Sequence, residues 1–148
     1  GKKYGMTATK ILSLELDVPN MGYAGFINLK AKNNRTKKED TYSIYVNHGR
    51  SSARTRGGKL SMLERLMRQC DCDLTVVGHV HEAMDVEINQ LTLSLDGEVG
   101  QKTRHGMICP AWLRLIPGSY GFEHGYEPCS QGCGVIKLGT DHHAIHVE

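Results

Sequence analysis

No apolar run in these 148 residues approaches the ~20 that a helix needs to cross a bilayer. No basic segment followed by an apolar stretch marks a secretory signal either. Those two absences make a cytoplasmic location the expectation and leave no membrane among the expected partners. An excess of one charge is missing too. The chain has 18 Lys and Arg against 16 Asp and Glu, a net charge of +2, so composition admits nucleic acid as a substrate without demanding it. The five cysteines are an odd number and do not close into a disulfide framework. Cys70 and Cys72 flank Asp71, Cys109 precedes a proline, and Cys129 and Cys133 are four apart. Neither pair has the two-residue gap usual in a Cys₄ zinc site, so reduced thiols are expected. No repeat, linker or low-complexity tract divides the chain. What is left, 39% hydrophobic and 23% charged residues, suits one compact unit.

Against this plain background one string stands out, Val76-Val77-Gly78-His79-Val80-His81-Glu82. It sets two imidazoles two residues apart just beyond an apolar run. In extended backbone such residues point to the same side, and imidazole is a preferred ligand of zinc, manganese and iron-type cations. Gly78 is expected to let the chain turn tightly enough to aim both rings outward.

The residues upstream supply a framework. Residues 41–46 are rich in β-branched and aromatic side chains and predict a strand ending at Asn47-His48-Gly49. A polar loop over 50–58 follows. Leu60, Leu63, Leu66 and Met67 then fall on one face of a helix over 59–69, and 73–77 read as a short apolar strand. Strand, helix and strand imply two parallel strands joined by a right-handed crossover. His48 and the His79/His81 pair should therefore emerge together at the C-terminal edge of a sheet, where open α/β folds place ligands.

A strand ending in Asn-His-Gly, a crossover helix and a strand ending in Gly-His-Val-His resemble the second half of the calcineurin-like metallophosphoesterases. The match is carried by residues 41–82, and the tail to about Leu138 is compatible with it. The resemblance implies an α/β fold, part of a layered, β-rich sandwich of metallophosphoesterase type with one main crossover helix. It also implies a hydrolase of phosphomonoesters or phosphodiesters with two divalent cations of the manganese, iron or zinc type. By the same resemblance His48 and His79 bind one metal and His81 the other. The family's earlier motifs, Asp-x-His, Gly-Asp-x-x-Asp and Gly-Asn-His-Asp/Glu, do not precede His48. The expectation is that residues 1–148 are the C-terminal portion of a single domain whose upstream half carries those motifs. Alone, the fragment should be an incomplete catalyst. Asp141-His142-His143 has the form Asp-x-His but reads as a polar tail. The other readings are a nuclease of the same superfamily and a degenerate module that keeps the sheet without the chemistry.

Two basic groups remain. Lys30, Lys32, Arg35, Lys37 and Lys38 surround Asn33-Asn34 and read as a solvated hairpin tip. Arg50, Arg54, Arg56 and Lys59 begin two residues after His48, where cations can hold a phosphate ester and complement charge in its transition state. Arg54 and Arg56 are the candidate substrate-binding residues. Glu82 either orients a ligand imidazole or is a solvated acid. Arg104-His105 and residues 112–126 could wall a pocket beside the metals, although Trp112 and Tyr120 read more simply as core and hydrogen-bonded residues. His124, His142, His143 and His146 read as surface. Further strands are expected over 11–18, 23–31, 84–95, 103–108, 112–116, 134–138 and 144–147, with a turn at Asp96-Gly97.

Overall fold

The computed structural model describes residues 7–50, 53–140 and 142–148, so Asp141 of the Asp-x-His string lies outside the described residues. Five strands form one mixed sheet in the order β1-β2-β3-β5-β4. They are β1 Ala24–Lys32, β2 Glu39–Asn47, β3 Leu74–Val77, β4 Met84–Leu93 and β5 Val99–Ile108. The pairs β1–β2 and β4–β5 are antiparallel hairpins, whereas β2–β3 and β3–β5 are parallel. Helix α2, Arg56–Gln69, makes the crossover from β2 to β3.

Alternation along the strands sorts the apolar side chains onto two faces. On one face Met62, Leu63 and Met67 of α2 pack with Val77, Val80 and Ile108. On the other, Tyr42, Ile44 and Leu74 meet Ile145, with Ile136, Leu138 and Val147 around them. These last residues belong to a two-stranded ribbon of β6 Ile136–Leu138 and β7 Ile145–Val147. The result is a layered α/β sandwich, β-rich, with one long helix on one side of the sheet and a small ribbon on the other.

The ends of α2 are secured locally. Thr55 accepts a hydrogen bond from the Gly58 N–H at 3.2 Å as N-cap. At the C-terminus, where helix carbonyls lack partners, Arg104 from β5 donates to Met67 O at 3.2 Å and Cys70 O at 3.0 Å, and to Asp71 at 2.7 Å. Arg104 is thus tied to the far end of the crossover from His48 and walls no pocket there.

Two expected strands take other forms. Residues Ala8–Glu15 make a helix, α1, capped by the Thr7 hydroxyl, which accepts from Lys10 N–H at 3.3 Å. The alternation of Leu12, Leu14 and Leu16 mimics a strand, but those leucines are good helix formers, and among the described residues no strand pairs with them. Residues 112–116 run as an irregular segment next to a single bridge, Ala111 to Gln131, with Pro110 and Pro117 close at either end. Trp112 is 79% exposed and Tyr120 61%, so neither is a core residue. All five cysteines are free thiols. No helix among the described residues is long and apolar enough to cross a membrane.

Candidate functional site

The register of the parallel strands decides where the histidines emerge. Asn47 lies opposite Val77, and Val77 opposite Ile108. The next residues along, His48, Gly78 and Cys109, therefore leave the sheet together. The ladder continues briefly past the strand ends, since Gly78 N–H donates to Asn47 O at 3.0 Å and Cys109 N–H to Val77 O at 2.8 Å.

Each loop is shaped by its own backbone. Asn47 accepts from Gly49 N–H at 2.8 Å through Oδ1 and donates to the Tyr45 hydroxyl at 2.9 Å. Gly49 has φ of +83° and is buried, and a Cβ there would collide with Gly78 O. Only glycine lets the His48 loop press against the Gly78 loop in this way. On the other strand, Val80 N–H closes back onto Gly78 O at 2.8 Å, making a three-residue turn centred on His79. His79 has φ of 62° and His81 of 55°, both left-handed. Between them Val80 is buried in the core against α2. The loop thus alternates by a pair of left-handed residues around an anchored valine, and extended backbone is not what projects its rings. Gly78 has no positive φ, so the glycine the turn requires is Gly49 and not the residue in front of the pair.

The three imidazoles come together. His48 and His79 have ring centroids 4.6 Å apart, and His79 and His81 5.8 Å. His48 and His79 are exposed and His81 is partly covered. Burial, the neighbouring His79 and the Lys59 ammonium all push the His81 pKa below its usual value, which keeps the ring neutral and its lone pair free near neutral pH. Among the described residues none hydrogen-bonds these ring nitrogens. No group of three or more His, Cys, Asp or Glu side chains among the described residues is arranged to hold a metal ion. The donor set that the described residues bring here is imidazole alone, suited in type to zinc, manganese or iron but short of a closed site.

No family model, curated protein or solved structure matches this chain.

Next to the imidazoles opens a cleft of about 660 Å³ lined by His79 and His81 on one side, Arg54 and Lys59 on another, and His124 and Tyr126 opposite. Glu82 is engaged with cations and orients no imidazole. It pairs with Lys59 Nζ at 3.2 Å and with Arg56 Nε at 3.9 Å. Arg56 is therefore turned toward Glu82, while Arg54 stands exposed at the cleft without a carboxylate partner among the described residues. His105 is also displaced from the site. It faces Glu87 at 3.4 Å on the neighbouring strand. Within residues 112–126 it is His124 and Tyr126 that line the cleft, with Gly125 between them. The signal was present in Tyr120, His124 and Tyr126 set around Gly125, a short aromatic cluster on a turn.

Proposed function

We propose that this chain is the imidazole-bearing part of a metal-dependent phosphoesterase domain, acting on a phosphomonoester or phosphodiester through two divalent cations of the manganese, iron or zinc type. The observation that carries this reading is the meeting of His48, His79 and His81 from two adjacent parallel strands, at centroid distances of 4.6 and 5.8 Å. Left-handed backbone at two of the three supports it, because such conformations cost free energy and collect at functional sites. In this reading His48 and His79 hold one cation and His81 the second. Bound cations of this kind polarise a phosphoryl oxygen and acidify a water.

The protein's own groups would do the rest. Arg54, exposed on the cleft, would meet the anionic ester. Arg56 would share its charge between Glu82 and the substrate. Three neutral imidazoles do not offset the charge of two dications. The reading therefore assigns the carboxylates to a further segment of the same domain, and it gives residues 1–148 alone at most one weakly held cation and no turnover.

The test is metal content by mass spectrometry after dialysis against manganese or zinc, with hydrolysis of a chromogenic phosphodiester measured in parallel. The expected result is up to one equivalent of metal, lost in His79→Ala, and no hydrolysis until the carboxylate-bearing segment is joined. Robust turnover by residues 1–148 that His79→Ala abolishes would show that another residue here completes the site. Equal metal retention by the parent and His79→Ala would favour a binding module without the chemistry.

A further inference from the structure

A phosphate group fills only a small part of a cleft of about 660 Å³, a size typical for ligands much larger than phosphate. What faces the imidazoles across it is a set of rings. Tyr126 lies 5.8 Å from His81 and 6.0 Å from Tyr120, and Tyr120 stacks on His124 at 4.1 Å with an interplanar angle of 28°. Together with His48 and His79 they make a continuous row of rings, of which His79, His81, His124 and Tyr126 line the cleft. Leaving such rings in water is unfavourable, yet Tyr120 is 61% and Tyr126 43% exposed.

The row is held by its own loop. Ser119 Oγ donates to Arg114 O at 2.7 Å and accepts from the N–H groups of Ile116 and Phe122. His124 Nδ1 meets Tyr120 O at 2.9 Å, and Tyr126 N–H donates to Gly121 O at 3.0 Å. Gly125, at φ of +65°, makes the reversal that returns Tyr126 to the cleft. These contacts hold the backbone that carries the tyrosines before any ligand arrives, which lowers the ordering cost of binding.

The geometry points to a binding subsite at Tyr126, with Tyr120 beside it, for the base of a nucleoside phosphate, whose phosphate lies toward Arg54 and the imidazoles. This rests on the phosphoesterase reading and narrows its substrate to esters that carry a flat heteroaromatic group. Tyrosine faces stack on any base with little sequence preference. A mononucleotide and a single strand present the same chemistry here.

The experiment is equilibrium dialysis of residues 1–148 with adenosine monophosphate and with ribose 5-phosphate, with and without manganese. A short single-stranded thymidine oligomer and its abasic counterpart form the second arm. The base should tighten binding by roughly 5- to 150-fold, the range that stacking on one aromatic residue gives. Tyr126→Ala should erase that increment and Tyr126→Phe keep it, with thermal melts confirming that both variants are folded. An increment in both arms assigns the subsite to any nucleoside phosphate, and one confined to the oligomer assigns it to a single strand. Equal binding of the base-bearing and base-free ligands, or no binding of any base-bearing ligand in the millimolar range, overturns the subsite. Its failure is separable from that of the phosphoesterase reading. Loss of manganese-dependent binding in His79→Ala for base-bearing and base-free ligands alike reports on the metal, whereas the Tyr126 increment reports on the base.

Discussion

Both histidines of the His-x-His string sit in left-handed backbone, a conformation that costs a non-glycine residue roughly 1–2 kcal/mol. Histidine tolerates it better than branched residues but does not escape it. Glycine at position 79 would relieve that cost while adding about 0.5–1 kcal/mol of backbone entropy to be lost on folding. The expected outcome for His79→Gly is a net gain of about 0.5–1 kcal/mol in chemical denaturation. For His79→Ala, which keeps the cost, stability should stay nearly unchanged, and under the proposed phosphoesterase reading both variants should lose cation binding. Equal stability of the two would show that the turn at His79 is not strained. The sequence displayed the three imidazoles and their common edge, because strand, helix and strand leave one topology. It hid which glycine mattered, because the collision that requires Gly49 is with Gly78 O, 29 residues along the chain. Such a contact leaves no local pattern.

The strands are joined as firmly at the end away from the histidines, and the joint is electrostatic. Asp73, just ahead of β3, accepts from the Ser43 N–H at 2.8 Å and hydroxyl at 2.6 Å, and it pairs with Lys102 Nζ at 3.1 Å. His143 Nε2 approaches the same carboxylate at 3.7 Å. Burial pushes the Asp73 pKa up, but the Ser43 hydrogen bonds and Lys102 together outweigh it and hold the carboxyl below its usual range. Burial is also the leading cause that lowers the pKa of His105 in the adjacent β5; nearby His146 and His143 add to it, and Glu87 and Asp73 oppose it. Both shifts act in one direction. His105 contributes stability fully above the ordinary imidazole pKa of 6.5 and loses it as pH falls below that. Asp73 contributes above the ordinary carboxylate pKa and loses it as pH falls through its depressed value. Melting temperature should therefore fall in two stages on acidification. His105→Gln should flatten the first, and Asp73→Asn, costing roughly 1.5–3 kcal/mol at neutral pH, should remove the second. A melting temperature independent of pH between neutrality and pH 4 would contradict the His105 assignment, and the absence of any further fall below pH 4 would contradict that of Asp73. At this scale the long elements were readable, since α2 and the hairpins carry strong periodicity. Helix α1 and residues 112–116 were not, because a two-residue alternation of apolar side chains means a strand only where another strand is present to pair with it. The spacing from Ile88 to Leu91 hides a similar point. Three residues along a strand change face, so Val86 and Ile88 pack toward α2 whereas Leu91 and Leu93 project from the opposite side and stand 75% and 72% exposed.

For the molecule as a whole, the layers do not cover each other evenly. Helix α2 packs on β3, β5 and β4. The β1–β2 hairpin keeps its α2-side residues open, with Phe26 60% exposed against Tyr45 at a ring distance of 4.9 Å. Close in sequence, α1 presents Leu12 at 56% and Leu14 at 64% exposure, and Tyr23 is 82% exposed. Single exposed apolar residues are ordinary, but a run of them on one helix and beside the uncovered part of a sheet is not. β1 is also an edge strand, open to pairing along its outer side. If the proposed further segment of the domain bears the carboxylates, this is the part of the sheet it would complete, because β2 leads directly to His48. Residues 1–148 alone should then bind a hydrophobic dye and associate in sedimentation velocity. Phe26→Lys and Leu14→Lys should reduce both effects with less than about 0.5 kcal/mol change in stability, as befits exposed positions. A parent chain that sediments as a monomer and leaves the dye dark would mean that these side chains are adequately solvated as they stand, and the carboxylates would then have to approach the imidazoles from the cleft side, past Tyr126.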